Sequence, residues 1–179
     1  MAESASTDNP IKQNIILDTC ILQYLGDRHI SLELNTYLLD LISRGFDFAI
    51  SDISIQELLT GTTIKQEQVG LKLLNGLVRY SIFHNILVAA AQLTTLYRQD
   101  KVKNEHISIP DKIIASTAIL NGALVLTADV HDFPRPFFSE AEEKLIIYRK
   151  KDKSNILCLQ ILKPNIDYIN QRFSERPKG

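Results

Sequence analysis

The chain has 179 residues, 45% of them hydrophobic and 23% charged, with a net charge of −1. That profile suits one globular domain with a sizeable core. It excludes a membrane span, because no apolar run approaches the ~20 residues that a span needs. The polar opening MAESASTDNPIKQ has no signal-peptide core, so a loose tail over residues 1–13 and a cytoplasmic location are expected. Two cysteines, Cys20 and Cys158, make neither a disulfide framework nor a CxxC metal site. Each lies among aliphatic residues and reads as a buried, reduced thiol.

The charge is unevenly spread. Residues 1–143 hold 11 Lys and Arg against 18 Asp and Glu, and residues 144–179 hold 9 against 3. An acidic body with a basic end points to a polyanionic partner, and a solvated Lys-rich loop at YRKKDKSN is the plainer alternative.

In chain order, NIIL (14–17) reads as a short buried strand and TCILQYLG as a helix ended by Gly26. SLELNTYLLDLISRG repeats Leu at helical spacing, and FDFAIS reads as a strand. DISIQELLTG is a helix capped by Ser51 or Asp52. IKQEQVGLKLLNGLVRY is an amphipathic helix, followed by SIFH as a short strand. ILVAAAQLTTLYRQDKVKN and IPDKIIASTAILNGA are helices, the second with Pro110 in its first turn. LVLTAD is a buried strand. EKLIIYRK and NILCLQIL form an antiparallel hairpin at the sheet edge, and NIDYINQRF closes the chain as a helix. Strands that alternate with helices, each strand an apolar run, predict an α/β architecture with a mostly parallel sheet.

Four acids stand out, three of them at element ends where such a sheet would gather them. Asp18 follows the first strand, Asp129 follows LVLTA, Asp111 opens the helix leading into that strand, and Glu57 lies between apolar residues of its helix. Each has a plain reading alone: Asp18 as an N-cap, Asp111 at a helix dipole, Asp129 and Asp132 as turn formers before Pro134, Glu57 on a solvent face. Together they are costly, since two carboxylates ~4 Å apart repel by ~4 kcal/mol at an effective dielectric near 20. Divalent cations offset that repulsion, and hard oxygen ligands select Mg²⁺ or Mn²⁺. A haloacid-dehalogenase-like phosphatase would need a second Asp where Cys20 stands, and a receiver-like phosphoacceptor fits less well.

The stretches NIILDTCILQYL, AISDISIQELLTG and IPDKIIASTAILNGALVLTADVHDF resemble the signature blocks of PIN-domain ribonucleases, above all the VapC-type toxins of toxin–antitoxin pairs. The blocks run from about Ile15 to Phe133, and the T-x-D-x-x-D-F ending is the most specific. The resemblance implies a PIN-like three-layer sandwich, with a central mostly parallel sheet and helices on both faces, over residues 14–164. A C-terminal helix and basic tail (165–179) would follow. It implies a Mg²⁺- or Mn²⁺-dependent endoribonuclease with Asp18, Glu57, Asp111 and Asp129 as catalytic acids. Asp18, Asp111, Asp129 and Asp132 are the candidate metal ligands. Asp129 is favoured as the fourth acid, being nearer the strand end, and Asp132 is the other candidate. Thr19 and Thr127 match supporting hydroxyl positions. Arg149, Lys150, Lys151 and Lys153 are candidates for holding the RNA backbone. An antitoxin protein and a homodimer are the implied partners. The segment FPRPFFSEAEEK and the tail fall outside the resemblance. A non-catalytic PIN module binding RNA or protein is the alternative; the retention of all the acids argues against it.

Overall fold

The computed structural model describes residues 12–102 and 106–176. Its centre is β1 (Gln13–Leu17), whose alternate side chains enter two different cores. Ile15 and Leu17 face one helical layer and Ile16 the other, and all three are buried. Strand β1 pairs in parallel with β2 (Phe46–Ser51) on one side and β4 (Leu124–Thr127) on the other. The sheet order is β3-β2-β1-β4-β6-β5.

The first layer is α1 (Thr19–Gly26) and α2 (Ser31–Ser43). Their Ile21, Leu22, Leu34 and Leu41 pack with Ile15, Leu17, Ile50 and Leu126. Helices α3 (Asp52–Leu59) and α4 (Ile64–Leu74) follow β2. The second layer is α5 (His84–Gln99) and α6 (Ile109–Asn121), where Leu93, Leu96, Ile114 and Ala118 pack with Ile16, Ala49 and Val125. Helix α7 (Ile166–Ser174) adds Tyr168 and Ile169 to that layer. The result is the expected three-layer sandwich with a mostly parallel sheet. Among the described residues, no helix is long and apolar enough to cross a membrane.

The third strand differs from expectation. It is β3 (Val78–Tyr80), not SIFH, and α4 stops at Leu74 rather than running to Tyr80. Gly76, at φ +90°, turns the chain just after the helix. Val78–Tyr80 can then pair in parallel with Ala49–Ser51. The strand also begins one residue earlier than expected, taking Gln13 from the supposed tail; residues 1–11 lie outside the described residues.

The C-terminal hairpin is longer than its apolar segments suggest. Strands β5 (Phe138–Lys150) and β6 (Lys153–Pro164) pair antiparallel, and β6 pairs antiparallel with β4. Lys151 and Asp152 form a two-residue turn with φ of +52° and +59°, the twist a right-handed hairpin needs. Thr127 lies opposite Gln160, so the seven residues from there to Lys153 carry the hairpin about 23 Å beyond the end of β4. A bulge near Ala141 shifts the register: Glu140 opposes Leu162 while Glu142 opposes Ile161. The segment outside the matched blocks is core. Phe133, Phe137 and Phe138 are buried, and Phe137 makes edge contacts with Tyr97 (4.8 Å) and Tyr168 (5.3 Å).

Candidate active site

The chain leaves β1 toward β2 and β3, then returns to place β4 on the other side of β1. Such a switch in strand order opens a crevice at the carboxyl ends of the two strands. The Asp18 backbone N–H donates to the Leu126 carbonyl at 3.0 Å, which sets the heights of the two strand ends. Helix α3 packs against both α1 and α6, which brings Glu57 and Asp111 to the same mouth.

Asp18 occupies the N-cap position of α1, yet its side chain makes no capping bond. Its Oδ2 instead accepts from Thr127 Oγ1 at 2.6 Å and Cys20 Sγ at 3.1 Å. The plain N-cap reading of Asp18 therefore fails. The carboxylate is only 4% exposed, and that burial raises its pKa; Thr127 and Cys20 oppose the rise, and Asp111 adds to it. Burial and Asp18 push the Cys20 thiol up to about 12, so it stays a proton donor. Glu57 Oε2 accepts from Thr19 Oγ1 at 2.6 Å. Burial raises the Glu57 pKa, Thr19 lowers it, and Asp111 and Asp18 raise it further.

Asp111 has a structural duty as well. It forms a capping box at the start of α6: Ser108 N–H donates to its Oδ2 at 3.0 Å, and its own N–H donates to Ser108 Oγ at 3.2 Å. The two acids after β4 are held differently. A 3-10 turn spans Val130–Asp132, and Asp129 caps it by accepting from the His131 N–H at 3.1 Å. Asp129 is exposed. Asp132 is half-buried, and burial followed by Asp111, Asp129, Asp18 and Glu57 raises its pKa to about 7. Asp132 lies within reach of all the other acids. The capping reading holds for Asp129.

No Lys or Arg stands among the principal influences on Asp18, Glu57 or Asp132; carboxylates act on carboxylates. That donor set fits a hard divalent cation. Among the described residues, no three His, Cys, Asp or Glu side chains already form a closed metal-ligand set. The acids share a mouth and do not converge on one point. A cavity of about 540 Å³ opens beside Asp132, lined in part by His106, His131, Phe133, Arg135 and Gln160.

The basic residues do not enter this mouth. Lys151 and Lys153 lie at the hairpin tip, and Lys150 pairs with Asp27 at 2.8 Å. Sequence reasoning missed two contributors. Ser108 was visible three residues before Asp111, as a capping-box spacing. Cys20 as a donor to Asp18 had no signal beyond its place two residues on.

A six-stranded, three-layer α/β sandwich with acids at its switch point is a PIN-type fold. The chain belongs to the PIN-domain family, whose profile matches residues 15–136. Among solved structures it is similar to VapBC2 from Rickettsia felis bound to a promoter DNA fragment, at 26% identity and a TM-score of 0.56, covering 68% of this chain and 91% of that one. It is also similar to a toxin–antitoxin complex from Klebsiella pneumoniae, at 26% identity and a TM-score of 0.53, covering 68% and 92%. FitAcB from Neisseria gonorrhoeae shares the fold at 20% identity and a TM-score of 0.51, covering 66% and 90%. No curated protein matches the chain. The hairpin beyond residue 136 lies outside the family match.

Proposed function

We propose that the protein is a Mg²⁺- or Mn²⁺-dependent endoribonuclease, the toxin of a toxin–antitoxin pair. The observation that carries this reading is the buried Asp18 carboxylate at the β1/β4 switch point, held by Thr127 and Cys20, with Glu57, Asp111 and Asp132 close enough to act on one another. Such a concentration of negative charge at a switch point destabilises the fold unless a cation or a reaction uses it. Asp18, Asp111 and Asp132 would hold the metal. Asp129, bound to its own turn, stands behind them. When bound, the ion lowers the pKa of water and stabilises charge on a phosphodiester in displacement.

This chain's own residues do the positioning. Thr127 and Cys20 occupy Oδ2 of Asp18 and leave Oδ1 for the ligand. Thr19 fixes Glu57, whose raised proton affinity suits it to take a proton from the attacking water. An acidic mouth repels RNA, so phosphate contacts fall to cations outside it, Lys151 and Lys153 at the hairpin tip among them. The antitoxin partner is supported by the two relatives at 26% identity, one a VapBC2 complex and the other a toxin–antitoxin complex. A homodimer and a cytoplasmic location complete the proposal.

A second reading, a non-catalytic module, is favoured by one observation: the acids do not yet converge as a ligand set. Cleavage of a mixed RNA pool with Mg²⁺, Mn²⁺ or EDTA separates the two. Metal-dependent cutting that falls about 100-fold or more in Asp18→Asn supports the nuclease. A well-folded protein that neither cuts nor binds metal by calorimetry sinks it.

A further inference from the structure

Strand β5 is the outer strand of the sheet, and among the described residues nothing pairs with its free edge. At 13 residues it is about twice the usual strand length. A long edge of this kind is a template for another strand. Its sequence from Glu142 to Lys150, EEKLIIYRK, runs acidic, aliphatic, then basic.

That order is self-complementary. Reversed on itself about Ile146, it sets Glu143 opposite Arg149 and Leu145 opposite Ile147, with Ile146 opposite its own copy. Directly opposed residues of an antiparallel pair lie on the same face and interact. The register with β6 puts Glu143, Leu145, Ile147 and Arg149 on one face. No helix covers the middle of that face: Leu145 is 54% exposed, Ile147 68%, and its cross-strand neighbour Ile156 66%.

A second feature lies on the opposite face. Leu32 and Leu39, seven residues apart on α2 and so on one stripe, are 74% and 65% exposed. A groove of about 560 Å³ runs between α2 and β5, with Leu32, Thr36, Lys144 and Ile146 in its lining.

We propose that a second copy of this chain pairs antiparallel along β5, about a two-fold axis at Ile146, with α2 brought alongside α2 of that copy. The two sheets become one, and each charged end of β5 meets its opposite twice. The acidic mouths then open in opposite directions along the shared sheet. The surface follows from the order of side chains on β5 and stands whether or not the protein cuts RNA.

Light scattering and sedimentation equilibrium on the full chain test it by mass, independently of cleavage. The expected result is a dimer at micromolar concentration. Glu143→Arg alone and Arg149→Glu alone each place like charges opposite one another at two points and weaken the dimer about tenfold or more. The double variant Glu143→Arg/Arg149→Glu restores it. Ile147→Lys, also at an exposed position, weakens it without altering the charge order, and circular dichroism checks that each variant is folded. A wild-type chain that stays monomeric to about 100 µM overturns the proposal. So does a dimer indifferent to the single changes, or a double variant that recovers nothing.

Discussion

The two ends of this sheet treat negative charge in opposite ways. At the mouth between β1 and β4, Asp18, Glu57 and Asp132 face other carboxylates and all have raised pKa values. Along the hairpin, acids meet cations: Glu142 accepts from Arg44 and from Tyr37, Glu140 pairs with Arg135, and Asp27 holds Lys150. Glu142 and Asp27 accordingly have lowered pKa values. The hairpin shows that this chain can neutralise its acids where only structure is at stake. At the mouth, no Lys or Arg stands among the principal influences on these acids.

The contrast breaks most visibly through the shortest donor to Asp18. Thr127→Val removes the 2.6 Å bond to Asp18 while keeping the shape. The expected loss of metal affinity is about 10- to 100-fold, read by calorimetry with Mn²⁺. An unchanged affinity would mean that Asp18 is not a ligand.

The next effect is on stability and has a definite sign. Asp132 is raised from 3.8 to about 7, so the folded, metal-free protein binds more protons than the unfolded chain between those values. Its contribution is full below about pH 4 and is lost as the pH rises through 7. Asp132→Asn is expected to stabilise the metal-free protein at pH 8 by about 1 kcal/mol, allowing for solvent screening. Melting curves in EDTA from pH 4 to 8 would show a flatter profile for the variant than for the wild type.

The smallest effect belongs to the hairpin and has the opposite sign. Glu142, lowered from 4.5, stabilises the fold above that value, and the contribution is lost as the pH falls through its folded pKa. Arg44→Ala leaves this partly exposed pair broken and is expected to cost about 0.2–1 kcal/mol at pH 7, fading in acid, by urea titration. A larger cost would mean that the hairpin depends on its ion pairs as much as on Ile146, Leu157 and Leu159.

Much of this architecture was legible in the sequence, for identifiable reasons. Strands β1, β2 and β4 are buried on both faces, so they read as unbroken apolar runs that stop at polar residues. Asp18 and Asp111 could be placed from a strand end and a helix start, while Glu57, inside α3, stood out only by its apolar neighbours and the family resemblance. Strand β3 was hidden because Val78–Tyr80 is short and partly exposed, and its pairing with Ala49–Ser51 is a tertiary fact. The different surroundings of Asp129 and Asp132 were hidden for another reason. Nearness to a strand end does not reveal that the Asp129 carboxylate is drawn to the His131 N–H. The aromatic cluster of Phe133, Phe137 and Phe138 was visible in composition, but only the fold shows that Tyr97 and Tyr168 enclose it.

The bulge near Ala141 has a consequence for how the chain tolerates change. Phe138 and Ile146 are both even-numbered, yet they are buried on opposite sides of the sheet, one in each core. Ala141 is the spare residue that inverts the phase of β5 between them. Deleting it would join Glu140 to Glu142 opposite Leu162 and Ile161 in a regular ladder, so Leu145 and Ile147 would stay outward and Ile146 inward. The hairpin can therefore lose one residue between Phe138 and Ile146 without turning its side chains over, where an unbulged strand could not.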